Sequence, residues 1–183
     1  MPPVTPPDAG PGPLPDLLAP GLRLLVCGSA AGTVSARAGA YYAHPRNRFW
    51  PTLHAIGLTP EPLAPAEYAR LLDLGIGLTD MAKAAVGRDD QLPPGAYDGR
   101  RLRRLLARFR PRVLAFNGKA PAAAFLGERA PAYGRQAEDT EGAAVFVLPS
   151  TSPAALYYWD VTHWQAMAAC VRAHGAMRKG ERE

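Results

Sequence analysis

The order of apolar runs predicts an α/β protein, a mostly parallel sheet covered by helices on both faces. Two observations carry this. The runs "LRLLVCG" (22–28), "RVLAFNG" (112–118) and "AAVFVLPS" (143–150) are apolar with little alternation, as strands buried on both faces are. Between them lie segments with apolar residues at helical spacing, so strand and helix alternate along the chain.

The elements follow in order. "MPPVTPPDAGPGP" is rich in proline and glycine and reads as an extended tail through residue 13, without the basic and apolar regions of a secretory signal. "LRLLVCG" is a strand closed by Gly28, and "CGSAAGTVSARAG" (27–39) is a loop of small residues whose N–H groups can approach a ligand closely. "NRFWPTLHAIG" places Phe49, Trp50, Leu53 and Ile56 on one helical stripe, with Pro51 in the first turn. "APAEYARLLDLG" repeats the pattern, with Pro65 and Glu67 early and Gly75 as the stop. "IGLTDMA" (76–82) is a short strand. "DGRRLRRLLARFR" sets Leu102, Leu105, Leu106 and Phe109 inward and its arginines outward. "KAPAAAFLG" is a short helix after the 112–118 strand. "DVTHWQAMAACVRAHG" turns Trp164, Met167, Ala168 and Val171 inward and stops at Gly175. One domain over 14–176 and a charged tail over 177–183 account for the 183 residues.

Composition narrows the function. The formal charge is +5, with 18 arginines against 3 lysines, and seven of those arginines fall in 99–112. That run reads either as a solvated helix face or as attraction to a polyanion, nucleic acid above all. No apolar run reaches the roughly 20 residues a bilayer span needs. Cys27 and Cys170 read as buried free thiols, no spacing suggests a metal site, and a reducing cytoplasm (the nucleoid, in a bacterium) is the expected location.

In parallel sheets ligands bind at the carboxyl ends of strands. "GSAAGT", "TDMAK", "NGKA" and "PSTSPAAL" follow those ends. Within "YYAHPRNRFW", Tyr41, Tyr42, His44, Arg46 and Asn47 precede the helical stripe, and aromatic faces beside amide and imidazole groups suit a planar heterocycle. Local roles are the alternative: Asn47 as a helix cap and His44 as a loop brace. "LPSTSPAAL" (148–156) is a stiff hydroxyl-rich loop suited to phosphates or to wedging into a duplex, or else a turn and a cap.

Taken together, "CGSAAG", "AGAYYAHPRNRFW", "IGLTDMA", "AFNGKAPAAAF" and "VLPSTSPAAL" resemble, in order, the uracil-DNA glycosylase superfamily over residues 20–172. The likeness is closest to its mismatch-specific uracil/thymine branch and to the related hypoxanthine-DNA glycosylases. It implies a three-layer α/β/α sandwich and hydrolysis of the N-glycosidic bond of a damaged base. It also implies no metal, no cofactor and no lyase lysine, with double-stranded DNA holding uracil or another deaminated base as the partner; a monomer is the default expectation, since nothing in the sequence suggests a dimer seam. Gly28–Gly32 match the first motif, over the glycosidic bond. Tyr42 falls where an aromatic stacks on the extruded base, and Gly28, Ala30, Tyr42, His44 and Asn47 form the base-binding set. Ser150, Thr151, Ser152 and Pro153 match the loop that enters the duplex; Asn117 and Lys119 lie where phosphates pass.

One departure matters. Where the mismatch branch writes G-x-N-P-G, this chain has "GSAAG" and no amide to position water; Ser29 can offer one hydrogen bond. A carboxylate must serve instead, and Asp80 of "GLTDMA" ends a strand on the expected edge. It can orient a water, accept its proton and stabilise a cationic sugar. A helix cap is its alternative role, and Asp89 and Asp90 of "GRDDQLPPG" are reserves. The expected function is uracil removal favouring G·U mismatches; hypoxanthine removal, or silent binding of damaged DNA, are the alternatives.

Overall fold

The computed structural model describes residues 12–180; the expected N-terminal tail falls outside them but for Gly12 and Pro13, as does the end of the charged C-terminal tail. Five strands form one sheet: β1 (Leu24–Gly28), β2 (Ile76–Asp80), β3 (Val113–Asn117), β4 (Gly134–Arg135) and β5 (Ala144–Leu148). Their order is β2-β1-β3-β5-β4, parallel throughout except for β4, which pairs antiparallel with β5 at the edge. The helices are α1 (Thr33–Ala38), α2 (Phe49–Ala55), α3 (Gly99–Phe109), α4 (Lys119–Leu126) and α5 (Val161–Gly180), with 3-10 segments at Pro65–Leu74, Asp89–Gln91 and Pro153–Tyr158.

Alternation along each strand divides the core into two layers. Leu24, Val26, Ile76, Leu78, Val113, Ala115 and Phe146 pack with Phe49, Trp50 and Leu53 of α2 and Trp164, Met167, Ala168 and Val171 of α5. Leu25, Cys27, Leu114, Phe116, Val145 and Val147 pack on the opposite face with Leu102, Leu105, Leu106 and Phe109 of α3 and Phe125 of α4. Helices therefore cover both faces of a mostly parallel sheet, the three-layer sandwich expected from the sequence.

Several expectations are corrected. The second half of the small-residue loop is helix α1, and Ser35 packs beneath it rather than facing solvent. Residues 65–74 wind as 3-10 turns, held at their start by the Glu67 carboxylate, which accepts from Ala64 N at 2.8 Å. α5 does not stop at Gly175 but runs to Gly180; a glycine permits a stop without compelling one, and the following "AMRK" favours helix. β4 has only two residues and so carries no pattern to read. Cys27 is buried but Cys170 is only half-buried, and neither forms a disulfide.

Register positions the chemistry. Gly28 pairs with Asp80 and Asn117 with Leu148, so four strands end level along one edge of the sheet. In strand order this edge presents Asp80, Gly28, Asn117 and then the loop that leaves β5.

Candidate active site

A cleft of about 950 Å³ opens at that edge. Gly28, Ser29, Ala30, Tyr42, His44, Asn47, Asp80, Asn117, Lys119, Ser150, Thr151, Ser152 and Pro153 all line it, so the expected catalytic, base-binding and DNA-binding residues reach one cavity, whereas Arg46 does not.

The floor is the 28–32 loop. Its carbonyls are drawn away from the cleft: Gly28 O accepts from Met81 N at 2.9 Å, Ser29 O from Ala82 N at 2.7 Å and Ala31 O from Gly87 N at 3.0 Å. Among the described residues, the N–H groups of Ser29 and Ala30 make no hydrogen bond, leaving two successive donors in a loop of small side chains. Ser29 is half-buried, with the Tyr97 phenol as its polar neighbour.

Asp80 is 4% exposed. Burial pushes its carboxyl above the usual range, and the Lys83 ammonium pulls in the opposite direction. Behind it lies a buried polar cluster that the sequence did not reveal. Segment 14–17 runs beside β2, joined through Leu17 and Leu78, and delivers Asp16 into the wall. Asp16 accepts from Thr79 Oγ1 at 2.7 Å and pairs with Lys83 Nζ at 2.9 Å. It also pairs with Arg101, which reaches the Asp80 carbonyl at 3.4 Å. Arg101 is thus an exception to the outward arginines of α3, only 7% exposed. Lys83 further donates to the Tyr41 hydroxyl at 2.7 Å, and Tyr41 donates to Pro15 O at 3.1 Å. Tyr41 thus lines the cleft but is only 1% exposed and commits its hydroxyl to this cluster, so it serves mainly as core.

Tyr42 differs from its neighbour. It is half-buried and lines the cleft, with its ring 4.1 Å from that of Phe49 and tilted by 32°. Its φ of 53° lies in the left-handed region, which strains a bulky residue. His44 Nδ1 accepts from Arg46 N at 3.1 Å, the bracing role. Asn47 Oδ1 accepts from Phe49 N at 3.0 Å, in the first turn of α2, which leaves the amide Nδ2 as its donor at the cleft wall. The two readings of Asn47 are compatible.

The opposite wall is stiff. Asn117 donates to Thr151 Oγ1 at 2.9 Å and accepts from Thr151 N at 3.0 Å, so both residues engage each other and stay buried. Gly118, at φ 119°, makes the turn that aligns them. Ser150 Oγ accepts from Ser152 N at 3.2 Å, and Ser152 Oγ accepts from Ala154 N at 3.3 Å. Beyond them Leu156, Tyr157 and Tyr158 stand exposed, Tyr157 at 92%. Sequence reading missed these three, although an unpatterned "LYYW" after a turn was the available signal. Lys119 lies over the Tyr133 ring at 4.4 Å. Asp89 and Asp90 line the cleft but are exposed, Asp90 paired with Arg88 at 3.3 Å. No cluster of potential metal ligands occurs among the described residues.

A family model, that of the Uracil DNA glycosylase superfamily, matches residues 15–172. The chain belongs to the uracil DNA glycosylase superfamily. Its fold is similar to a solution NMR structure from Methanosarcina acetivorans named as a candidate uracil DNA glycosylase, with TM-score 0.58 and 24% identity, covering 87% of this chain and 96% of that one. Membership supports DNA glycosylase activity, a hydrolysis acting on DNA. In this superfamily member the level strand ends set a carboxylate, two free N–H donors and an aromatic ring around one cavity.

Proposed function

We propose that the protein is a monofunctional DNA glycosylase that takes uracil out of the duplex, favouring G·U mismatches, and hydrolyses its N-glycosidic bond. The observation that carries this reading is Asp80, a buried carboxylate at the cleft whose side chain makes no hydrogen bond among the described residues. Such a group is held ready for a reacting molecule.

The extruded base stacks on Tyr42, and Asn47 Nδ2 reads an acceptor on its edge. A water loses its proton to Asp80 as its oxygen bonds to C1′. The C1′–N bond breaks and its electron pair leaves with the base, where the Ser29 and Ala30 N–H groups stabilise the developing anion. Solvent returns the proton to the base, leaving an abasic site. Extrusion costs a few kcal/mol, less at a mismatch. The stiff 150–153 loop supports it by presenting Leu156 and Tyr157 to the stack, while Lys119 meets the backbone.

The test incubates labelled duplexes holding U opposite G, U opposite A, T opposite G or hypoxanthine opposite T, followed by hot alkali. Strand breaks strongest at U opposite G support the proposal. Breaks at hypoxanthine alone reassign the base; tight binding without any break makes the protein a silent binder.

A further inference from the structure

Stacking does not account for all that the structure does with Tyr42. Its hydroxyl is buried and has no hydrogen-bond partner within 3.5 Å, with the Asn117 amide as its polar neighbour, an arrangement native proteins rarely keep without a use for the group. The ring packs on the Phe49 ring at 4.1 Å, with the Tyr41 ring 6.0 Å away, and its backbone is held in a strained conformation. The hydroxyl is thus aimed by packing, at some conformational cost.

What it faces is Asp80, across Gly28. A β-carbon on Gly28 would stand 2.5 Å from Asp80 Oδ1 and 3.0 Å from the Tyr42 hydroxyl. The two oxygens therefore flank one point above the Gly28 Cα, close enough for a single water to hydrogen-bond to both. Gly28 has no positive φ, so its lack of a side chain serves this space and not a turn. Burial, with Asp80 second, pushes the phenol well above its usual range against the opposing pull of the Asn117 amide, so it stays protonated at neutral pH.

We propose that Tyr42 is a catalytic residue through its hydroxyl, which together with Asp80 brackets the attacking water over the bare Cα of Gly28. This rests on the reading of Asp80 as the base. The water donates one hydrogen to Asp80 Oδ1 and the other to the Tyr42 oxygen, which turns a lone pair toward C1′. Asp80 takes the first proton as the C1′–O bond forms and the base departs with the C1′–N electron pair. Tyr42 keeps its own proton throughout.

The test compares full-length wild type, Tyr42→Phe, Gly28→Ala and Asp80→Asn in single turnover. The substrate is whichever duplex the wild type cleaves among U opposite G, U opposite A and hypoxanthine opposite T. Tyr42→Phe keeps the stacking face, so duplex affinity should hold while the rate falls at least about tenfold, as for loss of one orienting group. Its Tm should stay near wild type, because the deleted hydroxyl has no hydrogen-bond partner within 3.5 Å. Gly28→Ala should be slower still, its methyl group entering the space between the two oxygens. A wild-type rate in Tyr42→Phe, with Asp80→Asn slow, overturns this inference alone. Wild-type rates in both remove Asp80 as base and this inference with it; a wild type that cleaves none of the duplexes removes both as well. A slow Tyr42→Phe whose Tm drops marks the hydroxyl as structural and also overturns it.

Discussion

At the scale of single residues, the proposed chemistry turns on Asp80. Asp80→Asn should slow single-turnover cleavage at least roughly a hundredfold, the range of a lost general base, with duplex binding retained. The same substitution should raise stability at neutral pH. A carboxyl whose folded pKa is raised by burial favours the folded state while protonated and loses that contribution as pH rises through the folded value. The Tm of Asp80→Asn should therefore exceed wild type at pH 7, and the gap should close toward pH 4. The cleavage rate should fall as pH drops through the same raised value, so its acidic limb lies above the usual carboxylate range; a limb at an ordinary aspartate position would show Asp80 unperturbed. The position of Asp80 was legible because it ends an apolar run. Its supports were not, because Asp16 lies 63 residues from Thr79 and 85 from Arg101, and no local pattern links residues that far apart.

At the scale of elements, the loop leaving β5 is the part whose stiffness can be tested. Asn117 is the anchor, since both its amide atoms engage buried Thr151. Asn117→Ala leaves two buried polar atoms without partners and should cost about 1–3 kcal/mol, read as a lower Tm or denaturant midpoint. Tyr157→Ala removes a side chain that touches little of its own protein. Its Tm should match wild type while binding to a lesion-bearing duplex weakens severalfold by fluorescence anisotropy; equal affinity would exclude Tyr157 from the interface. The strands and the stripes of α3 and α5 were readable because burial on two faces leaves continuous apolar runs and burial on one leaves helical spacing. The 3-10 turns at 65–74 were not, since their apolar spacing matches that of a short α-helix. Arg101 was missed for a related reason: periodicity reports which face of a helix is apolar, and a buried ion pair at the margin of that face leaves no trace in it.

At the scale of the whole molecule, the arginine excess predicts how DNA would be held. Binding should weaken linearly in a plot of log affinity against log salt, by about 0.9 for each phosphate neutralised. The slope should be the same for undamaged and uracil-bearing duplexes, since phosphate contacts carry no sequence information; a steeper slope on damaged DNA would mean that extrusion recruits further cations. The two walls of the cleft are also not independent. Arg48 N donates to Thr151 O at 3.0 Å, and the Arg48 guanidinium lies 5.7 Å from the Trp159 ring. On the proposed function, the segment that would select a lesion is thereby joined to the one that would hold the helix open. Releasing the spent nucleobase and letting the strand re-stack would then be a single event, and drift in lesion preference along 41–48 would carry with it a change in how long the enzyme lingers on its product.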